Sequence, residues 1–310
     1  MKRIQYQQYG GPEVMRLEQF ELEAPGKGEV AVRVRFAAIN PIDWKLRQGD
    51  MKIVTGSRFP RAMGMDLSGT VMSVGPGVTR FKVGDEVFGQ ARFKQCGALG
   101  QAAIANEGAL ALKPANLGFD QAACLGSAGV TAWNALIDKA GLGANQHVFI
   151  NGCMGSVGEA AVQIARNLGA RVSGTCGEAD MARARALGVE TAYDYRRTDL
   201  SRLGERYDAV FDTAATMDGD TGFGLLKPTG VFLDLHPAPL KFLRALFNRR
   251  LKLVMCSPTP DILNQLARAA SEGRLRVSIA EEVPLSEAVA LIGAIEGGRR
   301  LGGKAVVRMD

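Results

Sequence analysis

Val30, Val32 and Val34 alternate with Arg33 and Arg35, the period of a strand with one face buried and the other in water. Residues 69–74 and 83–88 read as further strands, separated by the turn Gly75-Pro76-Gly77. From about Leu125 strand-like runs alternate with helical ones, and the strands fall at 147–151, 171–175, 208–212, 231–235 and 251–255. Such alternation predicts a parallel sheet covered by helices on both faces. After about Arg268 the texture returns to mixed short elements and closes on a strand at 304–309. The expected fold class is α/β: a β-rich domain plus a doubly wound parallel-sheet domain, with no internal repeat.

At 310 residues the chain is long enough for two domains with separate cores. It has two histidines, His147 and His236, and five cysteines at 96, 124, 153, 176 and 256. No cysteine pair has C-x-x-C spacing and the histidines lie far apart, which excludes a structural zinc lobe or a helical His-x-x-x-His metal site. Histidine-based triads are left with two residues in no recognisable setting. Scattered thiols indicate a reducing compartment. Residues 1–9 carry two basic residues with no apolar stretch behind them, so no signal peptide is expected. No run approaches the roughly 18 apolar residues of a membrane span. A soluble, cytoplasmic protein without membrane insertion is expected. The net charge of +6 is spread along the chain and suits an anionic ligand better than nucleic acid. Its densest cluster, Lys241, Arg244, Arg249, Arg250 and Lys252, reads as a solvated helix face leading into a strand at 251–256.

Glycine is in excess, 38 residues, and one group of them has a chemical setting. The strand at 147–151 runs into Asn151-Gly152-Cys153-Met154-Gly155-Ser156-Val157-Gly158. A helix follows, with Val157, Ala160, Ala161, Ile164, Ala165 and Leu168 on one face. In that context Gly152 permits the sharp turn, Gly155 the close approach of a pyrophosphate, and Gly158 the packing of helix on sheet. The N–H groups of Ser156 and Val157 then face the phosphates. The spacing is G-x-x-G-x-x-G, so the flanks rather than the glycines carry the signal.

The tip of the second strand of this domain discriminates between cofactors. An NAD site usually holds a carboxylate there for the ribose 2′-hydroxyl. This chain has Gly174-Thr175-Cys176-Gly177, with Glu178 just beyond as the one residue that would suit NAD. Arg183, Arg196 and Arg197 and the hydroxyl of Tyr195 are available to a 2′-phosphate, so NADPH is expected over NADH. The plainer reading makes these arginines exposed helix and loop residues. Thr175, Gly177 and Thr213, at strand ends of the same domain, join the expected cofactor set. His236 ends the strand at 231–235 and is placed to contact cofactor, whereas His147 reads as structural. Cys153 and Cys176 read as small packing residues beside the cofactor.

The chain resembles the medium-chain dehydrogenases and reductases, in their zinc-independent quinone oxidoreductase branch. The motifs run in order through Tyr9-Gly10-Gly11-Pro12-Glu13-Val14, Asn40-Pro41-Ile42-Asp43, Gly64-Met65-Asp66-Leu67-Ser68-Gly69-Thr70-Val71 and Val83-Gly84-Asp85-Glu86-Val87-Phe88-Gly89. They continue through Ala128-Gly129-Val130-Thr131-Ala132-Trp133 and the glycine turn to Pro284-Leu285-Ser286-Glu287-Ala288. The resemblance implies a GroES-like catalytic domain, residues 1–124 and 268–310, and an inserted Rossmann-type domain, 125–267, with the cofactor in the cleft between. Zinc-dependent relatives bind the metal through a Cys, a His-Glu pair and a second Cys. On those positions stand Asn40, Met65-Asp66 and Ser127, a poor donor set for Zn²⁺. The four-cysteine lobe of those relatives falls between Gly89 and Gln101, where this chain has Cys96 alone. No zinc is expected.

Without a Lewis acid, the reachable reaction is hydride delivery to a carbon already activated by conjugation, as in a quinone or an α,β-unsaturated carbonyl. The resemblance puts Asn40, Asp43 and Lys45 at the mouth of the nicotinamide pocket and Thr131 near the nicotinamide. Lys45 or Asn40 is expected to donate to the substrate oxygen, with Asp43 orienting the loop and water supplying the proton. The bland alternatives are that Asn40-Pro41 caps a turn, that Asp43 is structural, that Lys45 faces solvent and that Trp44 packs a domain. Two other functions stand beside this one: a zinc-free aldehyde or ketone reductase or alcohol dehydrogenase of the same fold, and an NADPH-binding sensor without turnover. Substrate specificity lies in loops at 51–61, 91–100 and 237–248. In the last, Phe242, Leu243, Leu246 and Phe247 fit a pocket wall, a dimer surface or ordinary core. A homodimer is expected on general grounds.

Overall fold

The computed structural model describes residues 1–236 and 239–309. The chain divides into two compact units, one of residues Met1–Ser127 with Pro258–Asp310 and one of Ala128–Ser257.

The first unit is built on a seven-stranded sheet to which both chain ends contribute. Strand Glu29–Ala38 is its centre, with Val30, Val32 and Val34 buried and Arg33 and Arg35 in solvent, as their alternation dictates. It pairs antiparallel with Asp66–Val74, with Ala102–Asn106 and with the C-terminal strand Lys304–Arg308, whose Val306 lies opposite Ala38. Strand Ile279–Pro284 adds parallel to Lys304–Arg308. The core between these elements collects Ile4, Val30, Leu67, Val87, Leu110, Ile292 and Val307. Helix Pro41–Gln48 is locked to helix Ala288–Glu296 by Arg47, whose fully buried guanidinium meets both carboxylate oxygens of Glu296 at 2.5 and 2.6 Å.

The second unit is a six-stranded, wholly parallel sheet. From one edge to the other its strands are Thr191–Asp194, Arg171–Cys176, His147–Asn151, Tyr207–Asp212, Leu226–Asp234 and Leu251–Leu253. The first three run against chain order and the last three with it. The order therefore reverses between His147–Asn151 and Tyr207–Asp212, where open α/β sheets bind ligands at their carboxyl ends. His147–Asn151 is buried throughout, the mark of a central strand covered on both faces.

Four expectations need correction. Strand Glu86–Gln90 starts three residues late, because Asp85 accepts the N–H of Lys82 and closes a turn that leaves Val83 exposed. The first unit resumes at 258 rather than 268: amphipathic helix Pro260–Ser271 packs on strand Leu110–Leu112, and Asn116 donates to the Ser271 carbonyl. The expected loop at 237–248 is largely helix Pro239–Phe247, while 237 and 238 lie outside the described residues. The final strand of the second sheet stops at Leu253. No described helix is long and apolar enough to cross a membrane.

Glu296→Ala leaves the Arg47 guanidinium buried and unpaired, a defect of about 3 kcal/mol. Urea unfolding should show a lower midpoint for this variant; an unchanged midpoint would contradict the clamp.

Candidate functional site

In the second unit, strand His147–Asn151 ends at the glycine turn and helix Ser156–Asn167 begins directly behind it. Gly152 takes φ +81°, a left-handed conformation that side chains rarely adopt. Gly158 is required by contact, since a Cβ there would stand 2.2 Å from the Gly152 carbonyl oxygen. Gly155 differs. A Cβ there meets only the Gly152 oxygen, at 3.5 Å, so a side chain would fill open space in front of the helix. That is the space a pyrophosphate takes. No side chain caps the helix, so the N–H groups of Ser156 and Val157 point at it. The cradle fits a dinucleotide.

The turn is held from below by side chains expected to touch cofactor. Thr175 is buried; its hydroxyl accepts the Gly152 N–H at 2.9 Å and donates to Asn151 Oδ1 at 2.6 Å. Thr213 donates to the carbonyls of Asn151 and Gly152. Asn151 in turn donates to Asp212 at 2.7 Å and to Thr216. Asn151, the first residue of the glycine-turn motif, and Asp212 were given no role from the sequence, where only their strand-end positions hinted at one. Thr131 is buried on helix Leu125–Trp133. His236 is exposed, with its backbone N–H on Asp234. His147 is structural: its ring bonds Ser173 at 2.9 Å, meets Tyr207 edge-on and lies 3.3 Å from Glu205. Cys153 and Cys176 are buried free thiols, hydrogen-bonded to each other.

At the strand tip, Arg183 donates to the Met154 carbonyl, which sets it beside the glycine turn. Gly177 packs under the Tyr195 ring, and the Arg196 guanidinium lies over that ring at 5.3 Å. Glu178 is ion-paired with Arg197 at 3.1 Å. The acid that would suit NAD is thus engaged with a cation, while Arg183 lies 3.6 Å from Asp180 and the Tyr195 ring, with Arg196 over it, stands beside Gly177.

The first unit holds a buried polar cluster. Asn40 caps helix Pro41–Gln48, and Asp43 closes the capping box by accepting the Asn40 N–H at 2.8 Å. The two hydrogens of the Asn40 amide go to the Ala38 carbonyl and to Asp66, each at 3.0 Å. Asp66 is fully buried and takes hydrogen bonds from four donors: Asn40, Gln90, the Ser127 N–H and the Ser127 hydroxyl. Lys304, from the C-terminal strand and itself buried, donates its ammonium to Asn40 Oδ1. Lys304 escaped the sequence reading because it lies far from the Asn40 motif along the chain; the one signal was a lysine ahead of the apolar run Ala305-Val306-Val307. Lys45 faces solvent and stands outside the cluster. Both hydrogens of the Asn40 amide are thus engaged within the cluster.

The same cluster tests the metal. Asp66 has its oxygens satisfied, Asn40 presents its oxygen to an ammonium, and Met65 packs against Cys96. A divalent cation would have to displace a fixed positive charge from ligands that suit it poorly. The residues do not fit Zn²⁺. Burial pushes the Cys96 thiol up to about 12, so it is an inert packing group. Burial also pushes Asp43 up to about 7, and the neighbouring carboxylate of Asp66 adds to the push. Asp66 is raised by burial too, with the Lys304 charge opposing.

Fold and site together define a dinucleotide-binding dehydrogenase or reductase of two domains. Residues 26–144 match the alcohol dehydrogenase GroES-like domain and 187–307 the zinc-binding dehydrogenase family. The structure of the quinone oxidoreductase from Coxiella burnetii superposes with a TM-score of 0.92 at 30% identity, covering 100% of this chain and 99% of that one. The chloroplast envelope quinone oxidoreductase homolog of Arabidopsis thaliana is 29% identical over 308 residues, 93% of this chain and 92% of its own. The NADPH-dependent alkenal/one oxidoreductase of the same plant is 34% identical over 228 residues, 70% of this chain and 58% of its own. The chain belongs to the medium-chain dehydrogenase/reductase family, in its quinone oxidoreductase-like branch.

Folded Asp43 holds its proton up to about pH 7, whereas an unfolded aspartate releases it near pH 4. The folded state therefore binds the extra proton, and stability falls as pH rises from about 4 to about 7. Asp43→Asn keeps an acceptor for the Asn40 N–H and removes the titration. Urea midpoints for the variant should fall less between about pH 5 and about pH 7 than those of the parent; equal falls would contradict the assignment.

Proposed function

We propose that the chain is an NADPH-dependent reductase that delivers hydride to a quinone or to the activated C=C bond of an α,β-unsaturated carbonyl, without a metal. The observation that carries this reading is the Lys304 ammonium seated on Asn40 beside Asp66. A site arranged this way has no Lewis acid for a simple alkoxide, so its acceptor must absorb the developing charge through its own conjugated carbonyl. The names of the Coxiella and Arabidopsis relatives support the acceptor class, and one of them is NADPH-dependent by name.

When bound, the reduced nicotinamide supplies the hydride. The first turn of helix Ser156–Asn167 holds the pyrophosphate in the room left by Gly155. Arg183, Tyr195 and Arg196 take the 2′-phosphate, with Gly177 allowing its approach. Thr175 and Thr213 act through the turn they brace, and Thr131 and His236 complete the cofactor set. Asp43 positions the start of helix Pro41–Gln48 through the Asn40 N–H. Lys45 donates to the substrate oxygen, because its ammonium is exposed while the Asn40 amide is engaged. The final proton comes from water. A cytoplasmic homodimer belongs to the same reading. The five cysteines are free thiols, and edge strand Leu251–Leu253 has an unpaired side for a second copy.

Steady-state rates on a quinone, an enone and a saturated ketone test the reaction. Turnover of the first two with NADPH above NADH is expected. Turnover of the ketone alone would move the chain to the carbonyl reductases, and tight NADPH binding with no turnover would make it a sensor. Lys45→Ala should lower kcat about tenfold, the loss of one hydrogen bond of about 1.4 kcal/mol; an unchanged kcat would remove Lys45 from the mechanism.

A further inference from the structure

Cofactor binding leaves Cys153 and Cys176 without a task, yet the backbone sets them against each other. Cys153 follows Gly152 in the glycine turn, and Cys176 is the last residue of strand Arg171–Cys176. The Cys153 N–H donates to the Thr175 carbonyl at 2.9 Å, which fastens the turn to the strand tip. Positions 174 and 176 share one face of that strand. Cys153 lies against this face, since a Cβ on Gly174 would stand 3.0 Å from the Cys153 Cβ. Glycine at 174 is what admits the Cys153 side chain beside Cys176. The Cys153 thiol then donates to Cys176, and the Cys176 thiol to Met181 Sδ at 3.5 Å.

This arrangement separates the pair from Cys96, whose thiol burial makes inert. The hydrogen bond from Cys153 holds the Cys176 thiol below its usual range, against the opposing effect of burial. The same hydrogen bond, with burial added, raises Cys153. Thiolate is the reactive form of cysteine, so Cys176 is the sulfur that attacks and Cys153 the one that resolves. Cys153 is also wedged in place, because a Cβ on Gly158 would stand 2.8 Å from its Cα. Any movement of its sulfur is therefore passed to the turn.

We propose that Cys153 and Cys176 form a reversible redox site, which a hydroperoxide converts to a disulfide and which thereby weakens NADPH binding at the glycine turn. The Cys176 thiolate attacks the hydroperoxide and the O–O bond breaks. Alcohol or water leaves with a proton, and the sulfur becomes a sulfenic acid. The Cys153 thiol attacks that sulfur, the S–S bond forms, and the sulfenic hydroxyl leaves as water with the Cys153 proton. Two thiols give up two electrons and two protons, and the hydroperoxide is reduced to alcohol and water. Joining the sulfurs draws the turn toward the strand tip, so Gly155 and the N–H groups of Ser156 and Val157 lose their alignment on the pyrophosphate. A dithiol reverses the bond by exchange, as suits a sensor in a reducing compartment. The effect on NADPH rests on the cofactor reading above, whereas formation of the disulfide does not.

Peptide mapping and NADPH titration of the full chain provide the test. Protein reduced with dithiothreitol and desalted is treated with hydrogen peroxide, alkylated and digested with trypsin. Cleavage after Arg166 and Arg171 puts Cys153 and Cys176 in separate peptides. These should appear joined, at the sum of their masses less two hydrogens, and dithiothreitol should part them. NADPH affinity should fall by about tenfold or more on oxidation and return on reduction. Cys153→Ala and Cys176→Ser should each bind NADPH as the reduced parent does and keep that affinity in peroxide. Cys256→Ser, which removes the exposed thiol, should respond as the parent does. Absence of the joined peptides would overturn the proposal, as would a disulfide that leaves NADPH affinity unchanged or a loss of affinity that both variants retain. A reduced parent that binds no NADPH would contradict the cofactor assignment instead, and the joined peptides decide the redox site in either case.

Discussion

The buried side chains of Asp66 and Lys304 meet through the side-chain amide of Asn40, whose backbone N–H is held by the buried carboxyl of Asp43. Carboxylates out of water are tolerated only when hydrogen-bonded and offset by charge, so this cluster dictates what must surround it. It joins the C-terminal strand to the start of helix Pro41–Gln48 and to the first residue of strand Asp66–Val74. A domain interrupted by 130 residues of another unit is thereby completed by its last strand. The Lys304 ammonium occupies the oxygen of Asn40 beside the fully hydrogen-bonded Asp66, which makes this cluster unsuited to a divalent metal.

The two units recognise their ligands in different ways. Cofactor recognition rests on backbone shape: a left-handed Gly152, a close contact at Gly158, open room at Gly155, and helix N–H groups without a cap. Side chains there mostly brace the turn, as Thr175, Thr213 and Asn151 do. In the first unit the buried cluster of Asn40, Asp43, Asp66 and Lys304 is built from side chains instead, through burial and charge. At the strand tip of the second unit Glu178 is tied to Arg197.

That contrast explains what was legible in the sequence. Backbone-driven features leave a local trace, so the glycine turn, its strand and its helix were found in place, as was the parallel sheet. Asn40 and Asp43 were named through the resemblance, in which they belong to one short motif; the capping box they form came only with the structure. Lys304 was missed because its partners come from distant strands, and only register across the sheet brings them together. The boundary expected at 268 falls inside helix Pro260–Ser271, because an amphipathic pattern shows that a helix buries a face, not which sheet it covers. Helix Pro239–Phe247 stands where a specificity loop was expected, although its cations had also read as a solvated helix face.

The central claim is hydride transfer to conjugated carbon at a site whose positive charge is a lysine. Its most direct test is reduction of an enone by NADPH carrying deuterium at the transferable position of the nicotinamide, using protein whose metal content has been measured. The account predicts deuterium on the β-carbon of a saturated ketone product, at an unchanged rate in protein stripped of zinc. Deuterium on the carbonyl carbon of an allylic alcohol, or a rate that rises in proportion to added zinc, would contradict it.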